Sequence, residues 1–182
     1  MELTTTRLLL DRLRPEDAKA LFACRTHPQV ARFQGWRPMD VGQVQAFIAA
    51  QAEPAPGRWF QRAIRLRDSG ELVGDLGVCP PGEAGDSAEF GISLAPAHQG
   101  RGYAREALQA VFGQGFGVLG WRRIHASVDP RNAACLALLR GLGMRQEAHF
   151  RESLWLHGEW VDDLVFAMLA REWPAMAHPL QD

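Results

Sequence analysis

Apolar and polar positions change their period several times along the chain, and each change marks an element. Residues 7–13 (RLLLDRL) form a mostly apolar run of strand length that stops at Pro15. Glu16 and Asp17 then supply acidic groups suited to the first turn of a helix reaching about Arg25. A second, short helix is expected over 29–33. A third is expected over 40–52, where Val41, Val44, Phe47 and Ile48 recur at helical spacing behind Asp40 as a cap. The period then drops to two. Segments 59–67 and 71–78 flank Asp68-Ser69-Gly70, a hairpin turn whose glycine can take positive φ. Residues 80–85 read as a loop. Residues 88–94 alternate, with Phe90, Ile92 and Leu94 on one face and Glu89, Gly91 and Ser93 on the other. Ala104, Leu108, Val111, Phe112, Gly115 and Leu119 return to a single helical face. A strand over 123–128 and an apolar helix over 132–142, ended by Gly143, follow. Strands over 146–156 and 160–169, turning at His157-Gly158, complete the pattern.

The resulting order, β-α-α-α-β-β-β-α-β-α-β-β, neither alternates strictly nor segregates. It predicts an α/β (mixed α+β) fold with one mixed sheet of about seven strands and helices on both faces. A chain of 182 residues fits one domain and can bury a core. A formal net charge of -1 gives no global pull toward nucleic acid or a membrane surface. The arginines at 62, 65, 67, 122 and 123 are local and read as solvated strand edges. Cys24, Cys79 and Cys135 are odd in number and lack metal-ligand spacing, and His98, His125, His149 and His157 form no close zinc-type pair. With neither a secretory leader nor an apolar run of membrane length in the sequence, a cytoplasmic protein without a metal is expected.

The most informative stretch is Gln99-Gly100-Arg101-Gly102-Tyr103-Ala104, between the strand ending at Leu94 and the next helix. Pro96 breaks the strand, and glycines let backbone approach a ligand with no Cβ in the way. A helix start behind such a loop offers free N–H groups and partial positive charge to a pyrophosphate. Arg101 and Arg105 add full charge nearby. Many glycine turns bind nothing, so the loop alone decides little. It lacks the Gly-Lys-Ser/Thr ending of a nucleoside triphosphate loop and the three-glycine spacing of a dinucleotide turn.

Gln99, Gly102 and Ala104 fill the fixed positions of Arg/Gln-x-x-Gly-x-Gly/Ala, the coenzyme A pyrophosphate signature of the GNAT superfamily. The chain resembles that superfamily over nearly its whole length, from Thr6 to Trp173. Asn132-Ala133-Ala134-Cys135 with Leu142-Gly143-Met144 resembles the family's Asn-x-x-Ser…Leu-Gly-Phe segment. Thr6-Arg7-Leu8-Leu9-Leu10, Pro15-Glu16-Asp17-Ala18 and 155–160 (WLHGEW) are similar to the Rim-type branch, which acetylates ribosomal-protein N-termini. The resemblance implies a single acetyltransferase domain over 1–182 that moves acetyl from acetyl-CoA to an amine. It implies that the strand over 88–94 splays from that over 123–128. The pantetheine arm then lies in the gap and pairs with backbone groups of Ile92, Ser93 and Leu94. Gln99, Gly100, Arg101, Gly102, Tyr103 and Ala104 would hold the pyrophosphate, and Asn132 the arm or the adjoining loop. Asn132 equally suits a helix N-cap.

Direct acetyl transfer needs a base for the ammonium, a donor for the oxyanion and a proton for the departing thiolate. Glu89 coincides with a position where several GNAT enzymes carry a base; otherwise it is a surface carboxylate paired with an arginine. Glu152 is the second candidate, while the position aligned with the Rim-type base is Leu154, which cannot act. The family's usual acid is a tyrosine, but the only one here, Tyr103, sits in the phosphate loop. Cys135 occupies the serine position that the Rim-type branch uses instead; a small core residue is the competing reading. A backbone N–H near Leu94 would take the oxyanion. Trp36, Trp59, Trp155 and Trp160 fall where related proteins border the acceptor groove, and Glu159, Asp162 and Asp163 suggest a negative rim for a cationic amine. Three readings stay open: acetylation of a protein α-amine, acetylation of a small amine, and an acyl-CoA-binding sensor without turnover. A homodimer is common in the Rim-type branch.

Overall fold

The computed structural model describes residues 1–51, 53–83 and 87–173. Strands β1 (Leu3–Thr4) and β2 (Leu8–Asp11) lead into helices α1 (Ala18–Thr26), α2 (Pro28–Ala31) and α3 (Val41–Ala49). Strands β3 (Phe60–Leu66), β4 (Leu72–Cys79) and β5 (Ser87–Leu94) follow, then helix α4 (Tyr103–Phe112) and a π-helical extension, Gly113–Val118. Strand β6 (Arg123–Val128), helix α5 (Ala133–Gly141) and strands β7 (Arg145–Leu156) and β8 (Glu159–Leu169) complete the described chain. The expected loop over 80–85 and helix over 40–52 reach residues 84, 85 and 52, which lie outside the described residues.

The strands form one eight-stranded mixed sheet in the order β1-β2-β3-β4-β5-β6-β8-β7. All neighbours are antiparallel except β5 and β6. The eighth strand is β1, two residues that pair with Leu9 and Leu10 and are too short for a periodic signal. Alternation along the central strands divides the core between the two faces. Ile64 and Val73 join α4 and α5 residues such as Leu108, Phe112 and Leu139, whereas Ala63 and Leu72 join Leu21 of α1 and Val44 and Ile48 of α3. In the π-helical extension Gly115 is obligatory: a Cβ there would fall 2.3 Å from Trp121 Cε3.

Two of the arginines expected at solvated edges are buried. Arg62 and Arg65 are each 3% exposed, because β3 lies inside the sheet between β2 and β4. Arg65 donates to Asp11 Oδ1 at 2.7 Å and to both Asp17 oxygens at 2.7 and 2.5 Å. Two carboxylates thus compensate the desolvation of the guanidinium. Burial pulls the Asp17 carboxyl up, but the Arg65 guanidinium and the Arg14 N–H outweigh it and hold Asp17 below its ordinary range. Arg62 donates instead to the carbonyls of Met1 and Gln61.

Candidate active site

The site begins with a failure of strand pairing. β5 and β6 match only through Ser87–Arg123, Ala88–Ile124 and Glu89–His125; beyond that register the two strands part. On its other side β5 stays paired with β4 as far as Leu94. The Ala95 N–H donates to Val73 C=O, so strand alternation turns the backbone groups of Ser93 toward β4 and those of Ile92 and Leu94 into the gap. Ile92, Ser93 and Leu94 all line a cleft of about 660 Å³. Its other walls are Gln29 and Val30 of α2 with Arg32, Phe33 and Gln34 just after it, the glycine loop, and Asn132, Ala134, Cys135, Ala137 and Leu138 of α5 and its cap.

The loop is shaped by left-handed glycines. Gly100 and Gly102 have φ of +72° and +82°, values that an L side chain reaches only at a cost of about 1–2 kcal/mol. Gly102 is the N-cap of α4, so the free N–H groups of that helix open beside the cleft. Gly100, Gly102, Tyr103 and Ala104 line it, as does Gln99, whose Nε2 donates to Leu94 C=O at 2.9 Å and ties the loop to the end of β5. That bond occupies one of the two acceptor positions of a carbonyl expected to pair with the pantetheine. Arg101 is exposed and is not among the lining residues; Arg105 lines the cleft while its guanidinium donates to Gly141 C=O.

Asn132 caps α5 by accepting from the Cys135 N–H at 3.1 Å, which commits its oxygen to the helix and leaves its amide N–H groups as donors at the cleft. Cys135 faces the same cleft, and burial pushes its thiol up to about 11. It is therefore a neutral thiol throughout the physiological range.

The two carboxylates stand in different places. Glu89 occupies the last paired register, at the vertex where the strands diverge and on the sheet face opposite Phe90. It is not among the cleft-lining residues, and three residues of strand, about 10 Å, separate it from Ile92. Its neighbours are Cys79 across β4 and His125, whose Nε2 lies 3.8 Å from Glu89 Oε2. Burial, and then the charge of Glu89, push the Cys79 thiol up. Glu152 lies on the edge strand β7, in a bulge between Phe150 and Leu154, with φ +46°. It is exposed, and its N–H donates to Asp162 Oδ1 at 2.9 Å. The structure brings Asn132, Cys135 and the glycine loop together at one cleft, puts Glu89 below it, and leaves Glu152 outside.

The expected negative rim is internally paired. Glu159 accepts from Arg131 at 2.7 Å, Asp162 lies 2.6 Å from His149 Nε2, and Asp163 accepts from Ser127 at 2.5 Å. Trp155 and Trp160 stack edge to face on the exposed hairpin, 57% and 59% exposed, whereas Trp36 packs on Phe47 behind α1. Sequence reasoning missed the α2 wall of the cleft. It also missed the buried Arg25–Asp75 pair, with Arg25 Nη1 donating to Gln34, that fixes this wall to β4. The short apolar period of α2 gave no hint of a binding role.

The sequence model of the GNAT acetyltransferase domain matches residues 7–145. The uncharacterized N-acetyltransferase YoaA of Bacillus subtilis is 32% identical over 172 residues, covering 92% of this chain and 96% of the relative. RimJ of Mycobacterium smegmatis, solved in complex with CoA-disulfide, superposes with a TM-score of 0.77 at 28% identity, over 92% of this chain and 84% of that one. The spermidine N(1)-acetyltransferase of Vibrio cholerae is 33% identical over 76 residues, covering 42% of this chain and 44% of that protein. By family match, full-length relative and fold together, the chain belongs to the GNAT family and is an acetyl-CoA-dependent N-acetyltransferase.

Proposed function

We propose that acetyl-CoA lies along the β5–β6 gap, with its pyrophosphate at the α4 N-terminus, and that a primary amine attacks its thioester directly. The observation that carries this reading is the junction of three features in one cleft: unpaired strand groups, a left-handed glycine turn and a helix start. A chain of amides is held as an added strand by such groups, and a pyrophosphate by such a turn. As the amine attacks, its proton passes through water to Glu89, which stands outside the cleft lining. The tetrahedral oxyanion accepts from the Leu94 N–H, the group that strand alternation turns into the gap. Collapse expels the CoA thiolate, to which the Cys135 thiol offers an S–H hydrogen bond before solvent supplies the proton. Glu152, outside the cleft, has no part in this scheme.

For the acceptor we favour the N-terminal α-amine of a protein. A polyamine carries several positive charges and is best held by carboxylates without partners of their own, whereas Glu159 is ion-paired with Arg131, Asp162 bonds His149 and Asp163 accepts from the Ser127 hydroxyl. The likeness to RimJ over nearly the whole chain agrees with this choice. A small amine is the second reading, supported by the partial match to a spermidine acetyltransferase. Calorimetric titration with acetyl-CoA tests the first step. Gly102→Glu, which adds strain and negative charge to the turn, should weaken binding by at least about 100-fold, or about 2.8 kcal/mol. Release of free CoA in the presence of N-terminal peptides or of spermidine then separates the acceptors. No binding to the wild type overturns the proposal.

A further inference from the structure

Arg7 opens the Thr-Arg-Leu-Leu-Leu run, yet it lies outside β2 and outside the cleft. Its side chain reaches the back of the glycine turn. Nε donates to Glu106 Oε2 at 2.7 Å, the backbone N–H of Arg7 donates to Glu106 Oε1 at 2.8 Å, and Nη1 donates to Arg101 C=O at 2.9 Å. The guanidinium also lies 4.7 Å over the Tyr103 ring, and a Cβ on Gly102 would fall 3.3 Å from Arg7 Nη2. One planar group thus touches Arg101, Gly102, Tyr103 and Glu106, the turn and the first turn of α4.

This placement has two effects. Gly100 and Gly102 line the cleft while Arg101 does not, so the bond from Arg7 holds the Arg101 carbonyl away from the ligand side. A carbonyl turned inward would present negative charge to a phosphate. Glu106, in the first turn of α4, would do the same if it stood alone. Thr5 and Arg7 hold that carboxylate, with Thr5 Oγ1 donating at 2.6 Å, and the guanidinium neutralises it.

We infer that Arg7 is a positioning residue for the pyrophosphate part of the CoA site: it fixes the turn with its N–H groups toward the ligand and cancels the charge of Glu106. The inference rests on the proposed reading of the cleft.

The test compares two probes, CoA and pantetheine, the second lacking pyrophosphate and nucleotide. Their Kd values are measured by calorimetry and by ligand-observed NMR on the wild type, Arg7→Ala and Arg7→Lys, at temperatures where each is folded. The ratio of the pantetheine Kd to the CoA Kd reports what the turn contributes. In Arg7→Ala the ratio should fall about tenfold, the scale of one charge-assisted hydrogen bond. Lysine should not restore it, since an ammonium has no planar fork to bond Glu106 and the Arg101 carbonyl together. A general loss of structure would weaken both probes alike and leave the ratio unmoved. A large wild-type ratio that stays within about twofold in both variants overturns the assignment alone. A wild-type ratio near one overturns the reading of the turn and the assignment with it.

Discussion

The Cys135 thiol offers the sharpest test of the chemistry. Burial pushes it up to about 11. An alkyl thiol in water ionises at about 8.5, so complete transfer of the Cys135 proton to a departing thiolate of that basicity runs uphill by roughly 3 kcal/mol. Burial of the thiol in the cleft thus disfavours full proton transfer in the proposed mechanism. What remains is a hydrogen bond from S–H to developing negative charge. Bonds to charged groups contribute about 1.5–3 kcal/mol, and a thiol is a weak donor, so the lower figure applies. Cys135→Ala should therefore lower kcat by about tenfold. Cys135→Ser, with a stronger donor of similar size, should stay within about threefold of the wild type. The assay is chromatographic measurement of free CoA at saturating acetyl-CoA and acceptor, from about pH 6 to 10, spanning the ordinary thiol range. A loss of about 1000-fold in the alanine variant would mean a contribution far beyond one hydrogen bond and refute the reasoning. So would an alkaline limb near about 8.5 that disappears in the serine variant, since it would report full proton release. Equal rates in all three proteins would reduce Cys135 to a packing residue.

Three further outcomes follow from the geometry. Glu89→Gln should lower kcat by about 100-fold and remove the acid limb of kcat/KM; a pH profile unchanged from the wild type would end the assignment of the base. Asp17→Asn leaves the buried Arg65 with one carboxylate, and should cost about 3 kcal/mol, a fall in Tm of about 6–12 °C by scanning calorimetry. Because folding lowers the Asp17 pKa, its stabilising effect is present above about pH 3.9 and fades as pH falls through the folded value. The variant should thus lose less stability than the wild type between neutral and acid pH. Gly115→Ala places a methyl against the Trp121 ring and should destabilise by about 1–3 kcal/mol in denaturant titration.

Much of the fold was legible in the sequence because its signals are local. Alternation at 88–94, helical spacing at 104–119 and the Asp68-Ser69-Gly70 turn specify their elements through neighbouring residues alone. The His157-Gly158 turn appears as expected, with both residues at positive φ. The glycine loop was legible for the same reason. What escaped depends on partners far away in the chain. Arg65 looks like a surface cation until Asp11 and Asp17 are brought to it from another strand and a helix start. Arg7 reads as an ordinary strand residue until Glu106, 99 residues away, is brought to its backbone N–H and guanidinium. The bulge that holds Glu152 is a mismatch between β7 and β8, and pairing mismatches have no periodic signature. The pairing of the acidic rim likewise depends on residues from four separate segments.

The parting of β5 and β6 has a consequence for the molecule as a folded object. A sheet ordinarily presents hydrogen-bonding edges at its two flanks, where they recruit strands from other chains and so invite aggregation. This sheet has a third such edge, indoors, along Ile92 and Leu94. It lies in the cleft walled by α2, α5 and the glycine turn rather than on a flank of the sheet. On the proposed reading, groups that would recruit a strand at a flank hold the amide chain of the coenzyme here. An occupant that binds only the folded form strengthens the fold by mass action, by about 2.7 kcal/mol at a concentration 100 times its Kd. The lifetime of the folded protein is then coupled to the supply of the coenzyme it consumes.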